Sequence, residues 1–270
     1  ILCFGEILWD ILPGGTVLGG APFNVALRLH SLGNRTLMVS RLGRDELGRR
    51  AWDQLRDWGL TTDQIQWDDR RPTGTVLVSV DAQGSSQFDI VPEVAYDFIE
   101  VSQSLLDAAA RAGCICFGTL ARRTQQSRQT LRELLDASPE SLKVLDLNLR
   151  KECYSKEIIE ESLKQTDVLK LNLDEAHFMA ELLEISSDSL SAFCATVITE
   201  CELSCCVVSL GQHGVFASTV DGRHAYSPGY QVRVADTCGS GDALTAGFIH
   251  KYLRHRPLGD LVDRPLRDAE

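Results

Sequence analysis

The sequence lacks the features that would place it in several common functional classes. Its 270 residues carry no lysine- or arginine-rich block, and the formal net charge at pH 7 is −11. An acidic chain without a basic patch is a poor match for nucleic acid or an anionic membrane surface. No apolar run approaches the roughly 20 residues that a membrane-spanning helix needs, and no signal-peptide pattern is present. We therefore expect a cytoplasmic protein that binds neither nucleic acid nor membranes.

Two well-known phosphate-binding patterns are also missing. There is no G-x-x-x-x-G-K-[ST] segment, which excludes a P-loop. No G-x-G-x-x-G opens a helix after the first strand, so a nucleotide-dependent dehydrogenase is disfavoured. Gly19-Gly20 precedes a helix but lacks that spacing. If the protein handles phosphate, it must do so with backbone N–H groups and a few side chains.

Cysteine is plentiful, with nine residues, but its placement does not indicate a disulfide framework. Cys114 and Cys116 alternate within an apolar run, as same-face residues of a buried strand do. Cys201, Cys205 and Cys206 adjoin another such run. We predict reduced cysteines in the core. A zinc site at the second group is the weaker alternative, because no further Cys/His pair has ligand spacing.

Short apolar runs alternate with amphipathic segments along the chain. The predicted strands are Ile1–Gly5, Arg35–Leu42, Cys114–Gly118, Lys143–Leu147, Val168–Leu171 and Cys205–Leu210. The predicted helices are Asn24–Leu32, Leu47–Trp58, Gln125–Ala137, Ile158–Lys164, Leu173–Leu183 and Leu190–Glu200. This alternation predicts one α/β domain over residues 1–270, with a mostly parallel central sheet and helices on both faces. Ligands are then expected at the carboxyl ends of the strands.

Two stretches break this alternation, at about residues 9–20 and 73–90. In the second, two strand-like runs flank Asp81–Gly84, whose residue types indicate a hairpin turn. We predict that both stretches form a small β-lid over the site. A lid that closes over a substrate would exclude water. An exposed apolar lid face would also pair with a second copy, so we expect a homodimer through the lid.

The segment Asp236–Asp242, with the sequence Asp-Thr-Cys-Gly-Ser-Gly-Asp, is the most informative in the chain. A glycine-rich turn that leads into an apolar helix leaves backbone N–H groups without partners, which suits an anion such as phosphate. A carboxylate beside an anion site needs a purpose, and Asp242 could accept the proton of a hydroxyl that attacks the phosphate. The alternative is a capped turn in which Asp242 only complements the helix dipole.

Six segments follow one another in the order found in the ribokinase-like, or PfkB, carbohydrate kinases, and the chain resembles that family, in particular its fructokinase subgroup. Asp236–Asp242 resembles the C-terminal signature, and Gly19–Ala26 followed by Leu32-Gly33 resembles the N-terminal one. The other four segments are Gly5–Asp10, Asp146–Arg150 (D-x-N-x-R), Asn172–Glu175 (N-x-x-E) and Ser209–Gly214 (T-x-G-x-x-G with Ser for Thr). The resemblance implies a ribokinase-like fold and transfer of the γ-phosphate of ATP to a sugar hydroxyl, with Mg2+ as cofactor.

The resemblance and the chemistry of the residues together predict the catalytic groups. Asp242 is the predicted base. Gly239, Ser240 and Gly241 are predicted to bring backbone N–H groups to the transferring phosphoryl, because glycine allows a close approach. Arg150 would pair with a phosphate or contact the substrate. The alternative for Arg150 is a surface salt bridge.

The predicted binding residues fall into three groups. Those for the sugar are Asp10, Gly19, Gly20 and Asn24, for which the alternatives are turn or helix-cap roles. Those for the nucleotide are Ser209, Gly211, Gly214 and Thr237, with an ordinary strand-end turn as the alternative. Asn172 and Glu175 are expected near Mg2+ through water, or else as a helix cap. The resemblance also suggests a monovalent cation such as K+ near Asp236.

Both ends of the chain depart from the family pattern. The sequence begins at Ile1 inside a strand-like run, so we expect the natural N-terminus to lie upstream. After Ile249 the family continues through further helices, whereas this chain stops at Glu270 and Pro265 interrupts the segment. The wall of the adenine pocket is therefore expected to be shortened, rearranged or missing.

The leading hypothesis is an ATP-dependent kinase of the fructokinase type. Trp9, Phe23 and the Gly-Ala-Pro-Phe-Asn version of the first signature favour it over kinases for ribose, 2-keto-3-deoxygluconate or nucleosides. A sugar-binding pseudokinase of the same fold is the alternative from another class, and the short C-terminal segment supports it. The predicted base and the N-x-x-E pattern argue against it, since a sensor needs neither a base nor a metal site.

Overall fold

The alternation of apolar runs produces a layered α/β structure in the computed structural model, which describes residues 1–80, 86–185, 189–233 and 237–255. In chain order its strands are β1 (Leu2–Phe4), β2 (Leu8–Leu12), β3 (Gly15–Gly19), β4 (Leu37–Gly43), β5 (Ile65–Asp68), β6 (Gly74–Val80), β7 (Ser86–Ile90), β8 (Cys114–Phe117), β9 (Leu142–Asp146), β10 (Val168–Asn172), β11 (Cys205–Ser209), β12 (Val215–Thr219) and β13 (His224–Ser227). Its α-helices are α1 (Ala21–Ser31), α2 (Glu46–Asp57), α3 (Gln103–Ala110), α4 (Gln125–Asp136), α5 (Lys156–Leu163), α6 (Leu173–Leu182), α7 (Leu190–Glu200) and α8 (Ser240–His255). Among these described helices, none combines the length and the apolarity that crossing a membrane requires.

The central sheet contains nine of the described strands, in the order β13-β12-β11-β10-β9-β8-β1-β4-β5. The strands from β11 to β5 are parallel, and β12 and β13 add an antiparallel edge. The prediction of a mostly parallel sheet is therefore confirmed, and all six predicted strands lie in it. The sequence analysis did not predict β5, β12, β13 or α3. These elements are short, and their polar residues interrupt the apolar pattern, as in the Ile-Gln-Trp-Asp sequence of β5.

Two separate apolar clusters cover the two faces of the central sheet. In β1, Leu2 and Phe4 belong to one cluster and Cys3 belongs to the other. Cys114 and Cys116 are buried in the same cluster as Cys3, as predicted for same-face residues of a strand. Helices α3 to α7 contribute to the first cluster, and α1, α2 and α8 contribute to the second. Because both faces are covered, the central strands are mostly apolar and do not alternate between apolar and polar residues.

A separate small sheet has the strand order β3-β2-β6-β7. Strand β2 pairs antiparallel with β3 and parallel with β6, and β6 pairs antiparallel with β7. This sheet combines both stretches that were predicted as the lid, while the predicted turn at Asp81–Gly84 lies outside the described residues. Gly74 begins β6 against Tyr96, since a Cβ atom at Gly74 would lie 2.3 Å from a ring carbon of Tyr96. The root of the small sheet therefore packs directly on the body of the protein.

A buried ion pair holds the same root. The Arg123 guanidinium donates through Nε and Nη2 to the two carboxylate oxygens of Asp97, at 2.7 Å each, and Asp97 is fully buried. Nη2 also donates to the Val91 carbonyl, directly after β7, and to the Tyr96 hydroxyl. One cation thus joins the end of β7 to the segment that supports β6. Loss of either charge would cost about 3 kcal/mol or more, because the other would stay buried without a partner.

A second buried charge lies between β1 and β2. Glu6 is 3% exposed, and its Oε1 accepts the backbone N–H of Ala21 at the start of α1, at 3.1 Å. Its Oε2 has no hydrogen-bond partner in the described part of the chain. Burial raises the pKa of Glu6 to about 7, although the backbone hydrogen bonds and the charge of Arg150 lower it. This carboxyl group therefore changes its charge near neutral pH.

We predict that Glu6→Gln changes the pH dependence of stability. The carboxyl loses its proton near pH 4.5 in the unfolded chain and near pH 7 in the folded protein. The unfolded state therefore releases its proton first, and the wild type loses stability as the pH rises between these values. Because Gln cannot ionise, the variant does not share this loss. Its free energy of unfolding, relative to that of the wild type, should therefore increase by up to roughly 3 kcal/mol as the pH rises across this range. Urea unfolding at several pH values measures this increase.

The exposed Glu140 provides a matched control for this comparison. Glu140→Gln removes a carboxyl group of the same type from the surface, so its unfolding free energy should follow the wild-type pH dependence. A difference between Glu6→Gln and wild type that stays constant with pH would contradict the raised pKa of Glu6.

Candidate active site

The predicted anion-binding turn lies at the start of α8. This helix begins at Ser240, and the φ of +73° at Gly239 lies in the region that favours glycine. The Ser240 N–H already donates to the Thr237 carbonyl at 3.1 Å, whereas the Gly241 N–H has no acceptor among the described residues. The turn thus offers the Gly241 N–H at the positive end of the helix dipole. Asp236, and with it the predicted cation position, falls outside the described residues.

Asp242 lies in the first turn of α8, where the side chain of Asn24 holds it. Asn24 is in the first turn of α1, and its Nδ2 donates to Asp242 Oδ2 at 2.8 Å. The side chain of Asn24 therefore does not cap its own helix, which was the alternative considered for it, but bonds across to α8. Burial raises the pKa of Asp242, while the Asn24 hydrogen bond and the charges of Lys170 and Arg150 lower it. The carboxylate is oriented and partly withdrawn from water.

Asp10 and the two glycines predicted for the sugar lie together beside the small sheet. Asp10 in β2 is half-buried, and a Cβ atom at Gly19 would lie 2.9 Å from its Oδ2. Gly20 has a φ of +118°, and a Cβ atom there would lie 2.4 Å from the Glu6 carbonyl oxygen. Burial raises the pKa of Asp10, and the charge of Arg150 lowers it. Gly20 is therefore required for the close approach of its backbone to that of Glu6, and Gly19 leaves room for the Asp10 carboxylate.

Arg150 supplies positive charge to this group of residues. It is exposed, four residues after the end of β9, and none of the salt bridges formed between described residues includes it. Its charge lowers the pKa of Glu6, Asp10 and Asp242, so all three carboxyl groups lie within its electrostatic reach. The surface salt bridge considered as the alternative is not among those observed. An exposed guanidinium of this kind can bind an anionic or hydroxylated ligand.

Asn172 and Glu175 form a capping box at the start of α6. Asn172 Oδ1 accepts the Glu175 N–H, and Glu175 Oε2 accepts the Asn172 N–H, both at 2.8 Å. Glu175 Oε1 accepts the Leu149 N–H, also at 2.8 Å, and burial raises the pKa of Glu175. Across the described ranges, no three or more His, Cys, Asp or Glu side chains are grouped to hold a metal ion. Both oxygens of Glu175 already accept hydrogen bonds from backbone N–H groups. Asn172 and Glu175 therefore fit contact with Mg2+ through water rather than direct ligation.

The residues predicted for the nucleotide follow the next strand of the central sheet. Ser209 ends β11 and is the register partner of Asn172 in β10, so two of the predicted segments meet at the same edge. Gly211 has a φ of +58° and open space at its Cβ position. A Cβ atom at Gly214 would lie 2.0 Å from the Ser227 carbonyl oxygen, so packing in the β12–β13 hairpin explains that glycine. The strand-end turn considered as the alternative thus accounts for Gly214, while Gly211 lies on open surface.

Sequence reasoning missed a buried lysine at the centre of the site. Lys170 in β10 is 7% exposed, and its Nζ donates to both oxygens of Asp146, at 2.9 and 3.1 Å. Asp146 Oδ2 also accepts the Thr245 hydroxyl at 2.7 Å. Burial lowers the pKa of Lys170, but neighbouring carboxylates, chiefly Asp146, raise it further, so the ammonium stays charged. The signal was a lysine inside an otherwise apolar strand, since a buried charge needs a partner.

Together these contacts define a single site at the carboxyl ends of the parallel strands. A carboxylate and an available N–H share one helical turn in α8, and an amide from α1 orients the carboxylate. A second carboxylate in β2 and the cation of Arg150 lie alongside. Such an arrangement can bind a polyol next to an anion and take up the proton of one hydroxyl.

Comparison with known proteins agrees with this chemistry. The family model for pfkB family carbohydrate kinase matches residues 14–267. A fructokinase of Solanum tuberosum is 27% identical, over 94% of this chain and 81% of its own. The crystal structure of a fructokinase from Xylella fastidiosa with bound ATP has a TM-score of 0.84 at 24% identity, over 95% of this chain and 82% of its own. A double-mutant fructokinase from Vibrio cholerae O395, bound to fructose, ADP and potassium ion, has a TM-score of 0.78 at 23% identity, over 93% of this chain and 82% of its own.

These solved structures establish the fold, an α/β fold of the ribokinase-like type with a separate small sheet. The family match includes both signature segments, Gly19–Ala26 and Asp236–Asp242, and it extends into the C-terminal segment. The expected change in the adenine wall concerns that segment, and residues 256–270 lie outside the described part of the chain. With the family match spanning most of the sequence, the chain belongs to the pfkB family carbohydrate kinases and is a sugar kinase.

Proposed function

We propose that this sugar kinase phosphorylates D-fructose with ATP, giving fructose phosphate and ADP. One observation carries the proposal: Asn24 holds the Asp242 carboxylate at 2.8 Å, on the same helical turn as the Gly241 N–H. A carboxylate and a backbone N–H thus lie within one turn, which supports their proposed roles as base and anion site in the transfer of a phosphoryl group to a hydroxyl. Fructose is favoured over other sugars because the Solanum tuberosum relative is named a fructokinase.

In the proposed reaction Asp242 accepts the proton of the attacking hydroxyl. The Asn24 amide occupies Oδ2, which leaves Oδ1 for the sugar. In a loose transition state the hydroxyl becomes acidic only late, so a carboxylate suffices as the base. Burial raises the pKa of Asp242 and so strengthens it as a base. The rate should then fall as the pH drops through this raised pKa, because protonation removes the base.

The sugar is proposed to lie between the small sheet and the start of α1. Asp10 would accept hydrogen bonds from sugar hydroxyls. Asn24 Oδ1 remains available as an acceptor, since Nδ2 is the atom engaged with Asp242. Gly19 and Gly20 would let the sugar approach the backbone. Closure of the small sheet as a lid would exclude water and suppress hydrolysis of ATP.

The nucleotide is proposed to bind along the carboxyl ends of β10 and β11. The residues proposed to line it are Ser209, Gly211, Gly214 and Thr237. The transferring phosphoryl would lie against backbone N–H groups of Gly239, Ser240 and Gly241. Of these, the Gly241 N–H is available without displacing the Thr237 bond to Ser240. Arg150 would add positive charge on the side of the sugar.

Two cations complete the proposal. Mg2+ bound to the phosphates would neutralise their charge, and Asn172 and Glu175 would contact its water ligands. The capping box is compatible with that contact, because a carboxylate oxygen that accepts one hydrogen bond from a backbone N–H keeps a second lone pair. A monovalent cation such as K+ is proposed near Asp236. Its support is the potassium ion named in the Vibrio cholerae structure.

The proposed location is the cytoplasm, and the proposed assembly is a homodimer through the small sheets. Most of the cysteines are buried, and no disulfide joins any of them in the described part of the chain, which suits a reducing compartment. Leu12, Val17 and Leu77 of the small sheet are exposed apolar side chains that a second copy could cover. Sedimentation velocity should give twice the chain mass of 29.8 kDa. A single species of the chain mass at all concentrations would contradict the dimer.

A panel of sugars with Mg-ATP, monitored by release of ADP, tests the proposed function. We expect D-fructose to be used with a kcat/KM at least about tenfold above those of ribose, 2-keto-3-deoxygluconate and adenosine. Preference for one of these instead would replace fructose as the substrate. Saturable fructose binding without release of ADP would indicate a pseudokinase.

We predict that Asp242→Asn removes most turnover and leaves sugar binding in place. Loss of the base should lower kcat by about 10³-fold, while the fructose Kd from calorimetry stays within about threefold. The control is Glu157→Gln, which removes another first-turn carboxylate, on α5 and exposed to solvent. If Asp242 only complemented the helix dipole, both variants would keep a near wild-type kcat.

We predict that Gly19→Ala weakens fructose binding. Gly19 needs no left-handed backbone conformation, but the new methyl group would lie 2.9 Å from Asp10 Oδ2 and push the carboxylate out of position. The KM for fructose should rise about tenfold, and the KM for ATP should stay near its wild-type value. Gly14→Ala is the matched control, because a Cβ atom at that nearby glycine meets open space. Equal KM values for fructose in the two variants would remove Asp10 from the sugar site.

A further inference from the structure

Lys170 is buried beneath the phosphoryl-binding turn, and the proposed chemistry gives it no role. Both of its hydrogen bonds among the described residues go to Asp146, which is itself 4% exposed. An ammonium group has three N–H donors, so one remains after the two bonds to the carboxylate. A buried salt bridge of this kind can have a purely structural role. Its position relative to the turn decides whether it also has a role in phosphoryl transfer.

The ammonium lies directly against the turn that is proposed to hold the phosphoryl. A Cβ atom at Gly241 would lie 3.0 Å from Lys170 Nζ, so the backbone of Gly241 packs on the lysine head group. The glycine is thus needed to let the cation approach. Gly239, the other glycine of the described turn, has no cation within 4 Å of its Cβ position.

A hydroxyl from α8 fixes the same group of atoms. Thr245 Oγ1 contacts Asp146 Oδ2 at 2.7 Å and the Gly241 carbonyl at 3.1 Å. The first turn of α8 is therefore connected to β9 through Thr245 and Asp146, and to β10 through Lys170. These connections place the Lys170 ammonium beside the backbone of Gly241.

We propose that Lys170 is a positioning residue for phosphoryl transfer: it holds the first turn of α8 in place and puts a fixed positive charge beside the backbone of Gly241. The inference rests on the proposed function for its effect on turnover. The electrostatic need is clear from the surroundings, because Asp146, Glu175 and Asp242 would together repel an incoming phosphate. A preorganised cation at that place stabilises the charge that develops during transfer.

The first test is Lys170→Met, which keeps the length of the side chain and removes the charge. We expect kcat to fall about 100-fold, as for loss of one donor of an anion-stabilising site, with the fructose Kd within about threefold of wild type. Lys143→Met is the control, because Lys143 lies at the start of β9, where its Nζ contacts only the Pro139 and Ser141 carbonyls within the described chain. Wild-type kcat in Lys170→Met would overturn the proposal.

A second variant separates positioning from mere neutralisation of Asp146. Lys170→Met alone leaves a buried carboxylate without its partner and could unfold the protein. The double variant Lys170→Met/Asp146→Asn removes both charges together. If Lys170 only balances Asp146, the double variant should recover wild-type kcat, and the proposal fails. If Lys170 acts on the turn, kcat stays about 100-fold low while thermal unfolding returns towards the wild-type temperature.

Hydrogen exchange gives a readout that does not depend on turnover. The amides at 240–246 should exchange about tenfold faster in the double variant than in Asp146→Asn alone, which also alters the contact with Thr245, whereas Lys143→Met leaves them as in the wild type. If the wild type phosphorylates no sugar, the proposed function fails, and this comparison still decides whether Lys170 positions the turn. Unchanged exchange at 240–246 would overturn the positioning role.

Discussion

Parallel strands that are covered on both faces leave polar chemistry at the edge where their carboxyl ends meet. In this protein that edge and its flanking segments gather five carboxyl groups, those of Glu6, Asp10, Asp146, Glu175 and Asp242. Left alone, they would repel one another and any phosphate that came near. The arrangement of the site follows from the ways in which this negative charge is held.

The five carboxyl groups differ in the partners that bind them. Backbone N–H groups bind both oxygens of Glu175 and one oxygen of Glu6, and Glu6 also keeps its proton up to about pH 7. A lysine neutralises Asp146, and an amide bonds to one oxygen of Asp242. Asp10 and Asp242 thus keep oxygens for a ligand, and they are the two proposed to meet sugar hydroxyls. The partners of each carboxyl group therefore distinguish the two that are proposed to contact the sugar from the three that bind within the protein.

The framework could be predicted from the sequence because it depends on local patterns. Apolar runs of strand length identified six strands of the central sheet, and amphipathic segments of helix length identified six of the helices that cover it. The parts that the sequence did not reveal depend on contacts between distant segments. Lys170 was read as part of an apolar strand, and its pairing with Asp146 depends on the neighbouring strand β9. Asn24 was predicted to bind the sugar, with a helix cap as the alternative, and its bond to Asp242 depends on the packing of α8 on α1. Strand β12 lies between β11 and the edge strand β13, and most residues of both strands are half-buried or exposed, so their apolar pattern is too weak to predict.

The contact between Asn24 and Asp242 joins residues that are 218 positions apart. During synthesis the chain emerges from its N-terminal end, so β1, β4 and β8 can pair long before α8 exists. The amide therefore has no carboxylate partner until α8 has been synthesised. A translation product that stops before α8 would still contain much of the central sheet but would lack the carboxylate proposed as the base. The contact between α1 and α8 thus forms late in synthesis, after the strands of the sheet are present.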